Sequence, residues 1–369
     1  MFAYANIHDN NKHQGKRLMA ICSRRQFIKF ACAAGALGAL GSLSACSGAA
    51  QGTKASDKEA AQWLEEDPKS ATLFIFDTVV TLKAYCSQEL MDQAVERCNY
   101  FEEHFSRTVE GSDVWNINNA AGAPVEVAQE TADIITRSLE YCRASDGLFD
   151  ITIGAVSSLW DFVEGIKPSD EQIEQAVGHI DYRCVHVDGT TVTLDDPEAM
   201  LDLGGTAKGY IADDLKRLFT QAGCVSGVLN LGGHVCLIGG KSDGSDWNVG
   251  VQDPNDKSGA TIASIKCKDV SVVTSGLYER EFKADDGKTY YHILDPKTGY
   301  PVKTDLVSSS VTGADSLQCD ALATWLFLLG HDRALKLLEE TDGVEGLVVN
   351  KKDDAVTQTS AGAFTIAEA

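Results

Sequence analysis

The sequence predicts a single α+β domain. Short runs rich in β-branched and aromatic residues, and amphipathic segments at helical spacing, occur along the chain without the regular strand–helix alternation that builds a doubly wound parallel sheet. The 369-residue chain is 44% apolar, enough to bury a large core. Its formal net charge of -22 argues against nucleic acid or an anionic membrane surface as the main partner. In so acidic a chain, any locally basic pocket is conspicuous.

Residues 1–45 read as an export signal. Ser23-Arg24-Arg25-Gln26-Phe27-Ile28-Lys29 has the twin-arginine pattern, Phe30 to Leu43 is a short apolar region, and Leu43-Ser44-Ala45-Cys46 fits a lipoprotein cleavage box. Cleavage before Cys46 leaves a lipidated cysteine, with residues 46–70 as a polar tether to the membrane and residues 71–369 as the exported domain. The alternative is an uncleaved anchor, for which the apolar run is short and glycine-rich. Eight cysteines remain beyond the signal, scattered without CxxC or zinc spacing, so both disulfides and buried free thiols are open.

Within the domain, Ala71 to Tyr85 reads as a strand or strand pair and Met91 to Phe105 as a helix with Ala94, Val95, Cys98, Phe101 and Phe105 at core spacing. Ser106 to Gly122 is a polar loop holding Ser112, Asn116, Asn118 and Asn119. A second amphipathic helix, Glu130 to Ser145, closes at Asp146-Gly147 and leads into the buried segment Leu148 to Gly154. Asp150 in that segment is flanked by apolar residues, so it either caps Thr152 and its neighbours or belongs to a site. Pro168 to Val177 carries a capping box, Ser169 with Gln172, and His186 to Asp195 reads as a hairpin turning at Asp188-Gly189. Further strands are expected at Val225 to Gly233, Trp247 to Pro254, Val270 to Ser275, Val307 to Thr312 and from Tyr290 into the proline turn at Pro301. Asp315 to Leu329 is a helix.

Leu201 to Tyr210, LDLGGTAKGY, is the stretch around which the chain is organised. Leu201 and Leu203 flank Asp202 as in a half-buried strand end, Gly204 and Gly205 permit a tight turn, and Thr206 is placed to cap a helix from Ala207 to Phe219. Lys208 then lies in the first helical turn, where it opposes the helix dipole; an anion sharing that space would account for it. Asp320 and Thr324, four apart on one helix face, offer hard oxygen ligands suited to magnesium. His292 and Asp295 straddle an Ile-Leu pair before a proline turn. Taken singly each has a structural alternative: a solvated lysine, a threonine bonded to its own backbone, an Asx turn at Asp295. Their accumulation at segment ends is what points to a site.

In order along the chain stand FDTVVT, GLFDITIGAVSSLWDF, LDLGGTAKGY, VLNLGGH, WNVGVQDP, VVTSGLYER, HILDPKTGYP and CDALATWLFLLG. With these motifs the sequence resembles the FAD:protein FMN transferases, the ApbE-like flavin transferase family, from about Leu73 to the C-terminus. The resemblance implies one α+β domain that uses FAD as substrate and Mg2+ as cofactor, moving FMN through its phosphate to a threonine of an extracytoplasmic acceptor flavoprotein and releasing AMP. It implies magnesium ligands at Asp320, Thr324 and the Gly205 carbonyl, flavin-site positions at Asn118, Leu148, Phe149, Asp150, Asp202, Lys208, Ile293 and Leu294, and in His292 the base that assists proton removal from the threonine. Two positions depart from the family pattern: Ala323 stands where some members carry a second acidic residue, and Thr78-Val79-Val80-Thr81 stands where some carry Thr-Met-Gly-Thr.

Two other functions use the same residues: a FAD pyrophosphatase with water as acceptor, and a non-catalytic flavin-binding lipoprotein. Asp320, Thr324 and His292 speak against the last, since storage requires no base. Ser258-Gly259-Ala260-Thr261 matches the core of a flavinylation motif but has Asn255 at the usual aspartate position, and reads as a coincidence rather than as self-modification of Thr261.

Overall fold

The computed structural model describes residues 57–256, 258–352 and 354–367. The export signal and Cys46 lie outside them. Helix α1 (Asp57–Glu65) precedes the hairpin β1 (Lys69–Ile75) and β2 (Thr78–Ala84), followed by α2 (Gln88–Phe105), α3 (Asp113–Asn119), β3 (Val125–Glu126) and α4 (Gln129–Ala144). Next come α5 (Gly154–Ser157), α6 (Asp170–Val177), the hairpin β4 (Val185–Asp188) and β5 (Thr191–Leu194), and α7 (Ala207–Gln221). Strands β6 (Ser226–Leu231), β7 (His234–Gly239), β8 (Trp247–Gln252), β9 (Thr261–Cys267), β10 (Ser271–Gly276), β11 (Glu281–Lys283), β12 (Thr289–Tyr291) and β13 (Leu306–Gly313) follow. The chain ends with α8 (Ser316–Leu329), α9 (His331–Glu339), β14 (Val344–Asn350), β15 (Val356–Gln358) and β16 (Thr365–Ile366).

Strands β1-β2-β6-β7-β10-β13-β14-β15 form one eight-stranded sheet in which every pairing is antiparallel. Period-two alternation divides its side chains between two apolar clusters. Leu229, Cys236, Ile238, Val273 and Val348 join the core under the helices. Val228, Val235, Leu237, Val272, Leu347 and Val349 turn the other way and meet Val249, Val251, Ala263 and Ile265 of the small sheet β16-β9-β8. The central strands are thus covered on both faces, which explains their nearly continuous apolar sequence. A third cluster joins Val156, Trp160, Ile173, Tyr290 and Leu294.

Helix α8 is apolar on nearly all sides because it lies within the molecule, touching β10, β13, α7 and α9. Asp315 caps it, its side chain accepting from Gln318 N–H at 2.9 Å. Asp213 of α7 accepts from the Ser316 and Leu317 N–H groups at 3.0 and 3.2 Å, so one helix satisfies the exposed donors of the other. One turn earlier, Gly209 lets the backbones meet: a Cβ there would lie 2.5 Å from both the Ser316 carbonyl oxygen and Leu317 Cα.

The capping box at Ser169 and Gln172 and the β4–β5 hairpin form as the sequence predicts. Three expectations are corrected. The tether ends earlier than residue 70: α1 occupies 57–65, with Trp63 packed against the core, and β1 starts at Lys69. The polar loop 106–122 contains α3, because Ser112 caps it by accepting from Trp115 N–H and Asp113 links it to α4 through Ala128 N–H and Thr131 Oγ1. Leu201–Leu203 is not a strand, since only Met200 bridges, to Ile153, while Leu148 to Gly154 is largely buried as expected and runs in turns into α5. All eight described cysteines are free, six of them fully buried, and burial raises their thiol pKa values. Among the described residues no helix is long and apolar enough to cross a membrane.

Gly209→Ala should force α7 and α8 apart and cost about 1–3 kcal/mol, the usual overpacking penalty. Thermal unfolding monitored by circular dichroism should show Tm falling by roughly 2–4 °C per kcal/mol; an unchanged Tm would contradict the tight crossing.

Candidate active site

The stretch from Leu201 to Lys208 is held from several directions. Leu201 and Leu203 are buried, so Asp202 between them faces the opposite side. The Asn118 amide clamps the Leu201 backbone, accepting from its N–H at 2.6 Å and donating to its carbonyl at 2.9 Å. Asp202 N–H donates to the Ile151 carbonyl at 2.8 Å, tying the stretch to the turns before α5. The Asp202 carboxylate accepts from Ser157 Oγ at 2.6 Å and Gly204 N–H at 2.9 Å, and pairs with Arg107 Nε at 3.2 Å. Desolvation works against its charge, but Arg107, Ser157, Gly204 N–H and the field of Arg280 prevail and hold its pKa below the ordinary carboxylate value.

Gly205 follows in a confined place. A Cβ on it would lie 2.9 Å from Phe149 Cε2 and 3.6 Å from Thr324 Oγ1, so the missing side chain keeps its backbone close to both. Thr206 stands at the helix N-cap position but does not cap; its hydroxyl is turned to Ser138 Oγ, 2.9 Å away, and the Leu203 carbonyl. Lys208 does fall in the first turn of α7, and its electrostatic partner is a protein carboxylate: Nζ is 3.5 Å from Asp320 Oδ1 and donates to the Gly204 carbonyl at 3.4 Å.

Asp320 lies 2% exposed in the middle of α8. Its Oδ2 accepts from Gly209 N–H at 2.9 Å, while Oδ1 faces Lys208 and, 3.7 Å away, His234 Nδ1. Burial opposes ionisation here, and Lys208, His234 and Gly209 N–H outweigh it, leaving the pKa below its ordinary value. The half-buried Thr324 lies one helical turn further on. Asp320, Thr324, Gly205, Phe149 and Lys208 are therefore brought together, as the sequence suggests.

His292 is mounted on a different scaffold. Its N–H donates to the Arg280 carbonyl at 3.2 Å, extending the β11–β12 hairpin by one pair, and its Nδ1 is 3.4 Å from the same oxygen. Ile293 and Leu294 beyond it are buried in separate clusters and fix the chain on either side of the Val302 and Pro301 contacts. Phe162, stacked on Trp160, meets the His292 ring edge-on, and Trp160 Nε1 donates to the Gly299 carbonyl at 3.1 Å. Asp295 forms the Asx turn, accepting from Lys297 N–H at 2.9 Å. Desolvation, then Arg280 and Lys208, push the imidazole pKa well down, so it is neutral at pH 7. Asp202 acts on it in the opposite sense, which places His292 in the same electrostatic neighbourhood as the α7 entry.

Asn118 and Asp150 take partners within the protein, both of them reaching segments remote in sequence. Asp150 accepts from Thr152 N–H and Oγ1 at 2.8 and 2.7 Å and from Tyr182 N–H at 2.9 Å, which is the capping alternative of the two its sequence allows; burial raises its pKa. Its role is to hold the turn bearing Leu148 and Phe149. Sequence reasoning passed over Arg107, Arg280, Ser157 and His234. Arg107 stood in a segment read as a connector, and His234 ended the VLNLGGH motif with no local pattern to mark it.

A buried carboxylate, a glycine turn, a lysine at a helix start and a neutral histidine on a rigid turn are thus gathered at one region of an α+β fold. A sequence model of the ApbE family matches residues 76–348, and the chain belongs to that family. It is 35% identical to the FAD:protein FMN transferase of Treponema pallidum (strain Nichols) over 247 residues, 62% of this chain and 68% of that protein. With the FAD:protein FMN transferase of Klebsiella pneumoniae (strain 342) it shares 32% identity over 293 residues, 78% and 90% of the two chains. Its fold matches the crystal structure of the ApbE protein from Thermotoga maritima with a TM-score of 0.73 at 31% identity, covering 80% of this chain and 98% of that one. The apo Pseudomonas stutzeri flavinyl transferase ApbE gives a TM-score of 0.70 at 26% identity, covering 80% and 95%.

Asn118→Ala removes both hydrogen bonds to Leu201 and leaves buried backbone groups unpaired, which should cost about 1–3 kcal/mol. Differential scanning calorimetry of the ligand-free protein should register the loss; a change in flavin affinity with unaltered Tm would instead give Asn118 a ligand-contacting role alone.

Proposed function

We propose that this chain is a FAD:protein FMN transferase, exported and anchored by a lipid on Cys46, which transfers FMN from FAD to a threonine of an acceptor flavoprotein and releases AMP with the aid of Mg2+. The observation that carries the reading is the buried Asp320 carboxylate, with one oxygen fixed by Gly209 N–H and the other turned toward Lys208, in the neighbourhood of Thr324 and Gly205, where an added Cβ would reach Thr324 Oγ1 at 3.6 Å. The names borne by the Treponema and Klebsiella relatives support the same reading.

The residues fit magnesium. A carboxylate, a hydroxyl and a backbone carbonyl are a hard-oxygen set, and the space between Gly205, Phe149 and Thr324 would be filled by any Cβ at position 205. Asp320 Oδ1, Thr324 Oγ1 and the Gly205 carbonyl would hold the ion. Bound there, it supplies positive charge against the pyrophosphate and the departing AMP. The protein's own cations, Lys208, Arg107 and Arg280, add to that field locally in an otherwise acidic chain.

His292 serves as the base. The Arg280 carbonyl near Nδ1 favours the tautomer with its proton on Nδ1, which leaves the Nε2 lone pair to take the proton of the acceptor threonine. The threonine Oγ–P bond forms, the P–O bond of the pyrophosphate breaks, and AMP leaves with its electron pair. Leu148, Phe149, Ile293 and Leu294 supply apolar walls at the flavin end, with Asp202 orienting the turn. The twin-arginine segment and Cys46 support a position on the extracytoplasmic face of the membrane, where acceptor flavoproteins would be its partners.

The full chain incubated with FAD, Mg2+ and an acceptor bearing a flavinylation threonine should give an acid-stable fluorescent acceptor band, abolished by EDTA. AMP and free FMN without a labelled band would establish the pyrophosphatase instead. In the same assay His292→Asn should slow labelling on the order of 100- to 10,000-fold with FAD affinity retained; wild-type rates would remove His292 from the base role.

A further inference from the structure

His234 is a buried histidine that the reaction as described does not use. It opens β7 directly after Gly232 and Gly233, which turn with φ of 63° and 95°, and it pairs with Leu231 and Val273. In a strand of period two it shares the side of Cys236 and Ile238, which face the helices. Its side chain is 0% exposed, yet neither ring nitrogen has a hydrogen-bond partner among the described residues. An unpaired imidazole in a core is costly, and buried polar groups almost always find partners. The nearest polar group is Asp320 Oδ1, 3.7 Å from Nδ1, too far for a hydrogen bond.

That separation has another meaning. Two ligands each about 2.1 Å from one cation stand ~3.0 Å apart at an octahedral right angle, ~3.4 Å apart in a tetrahedron and ~4.2 Å apart when opposed. The observed 3.7 Å falls inside this range. The same Asp320 oxygen also faces Lys208 Nζ at 3.5 Å, so it already looks toward positive charge rather than toward a close donor.

We propose that His234 is a nitrogen ligand of the cation site built around Asp320, so that this chain takes a first-row transition-metal ion such as Mn2+ or Co2+ more tightly than an all-oxygen site would. Imidazole raises affinity for such ions much more than for magnesium, which keeps to oxygen. The proposal rests on the reading that Asp320, Thr324 and Gly205 hold a divalent ion.

The test uses the full chain labelled with 15N-histidine and titrated with Mn2+, with and without FAD, followed by calorimetry and pulsed electron paramagnetic resonance. The wild type should show 15N coupling to Mn2+. His234→Gln should lose it, with Mn2+ affinity falling roughly 10-fold or more and Mg2+ affinity changing much less; His292→Asn should keep it. Mn2+ bound to the wild type without 15N coupling, or with equal affinity in His234→Gln, overturns the proposal and leaves the oxygen site intact. No Mn2+ binding to the wild type under either condition, or undiminished binding in Asp320→Asn, overturns the cation-site reading and the proposal together. The wild-type spectrum decides even if His234→Gln fails to fold.

Discussion

The crossing of α7 and α8 is the constraint on which the site depends. Gly209 allows backbone-to-backbone contact with Ser316 and Leu317, and in doing so aims its N–H at Asp320. Asp213, four residues on and on the same face, completes the contact by capping α8. A carboxylate buried in the centre of an apolar helix would ordinarily take up a proton, since desolvation disfavours its charge. Here a backbone donor and the nearby Lys208 offset that cost and keep Asp320 ionised. The geometry that makes the helix pair pack is thus the geometry that keeps the Asp320 carboxylate charged.

The sheet supplies rigidity on both sides of this crossing. Its strands are buried between helices and a second sheet, so the turns leaving its edges, the Gly232–Gly233 turn before β7 among them, are set by strand register. His292 is fixed differently, by a three-residue hairpin and an aromatic cluster of Trp160, Phe162, Phe282 and Tyr290. His292 and the α7 entry are thus carried by separate scaffolds. Burial of Ile293 and Leu294 immediately after His292 limits how far its backbone can shift.

Electrostatics separates this region from the rest of the chain. Against a formal charge of -22, the site gathers Arg107, Arg280 and Lys208 near Asp202, Asp320 and Glu279; Asp202 and Asp320 stay ionised, burial raises the Glu279 pKa to about 7, and His292 stays neutral. The arginines come from the loop after α2 and the segment before β11, so neither could be assigned to the site from local pattern.

The sequence by itself determined the α+β class, most helices and strands, and the capping box and hairpin, because periodicity and turn chemistry are local properties. It also marked LDLGGTAKGY, Asp320, Thr324 and His292, since glycine turns, i and i+4 oxygens and a strand-end histidine carry their spacing with them. It misread residues 106–122 as loop because Ser112 and Asp113 stabilise α3 through caps and a link to α4 that polar composition conceals. That Asp150 caps Thr152 was legible locally, but that Tyr182 N–H, far along the chain, donates to its second oxygen was not. Only the tertiary structure decided that Lys208 faces Asp320, that Arg107 holds Asp202, and that His234 lies unpaired beside the same carboxylate. Each of those facts depends on the meeting of segments remote in sequence, and a contact set by packing leaves no periodic trace in the residues that make it.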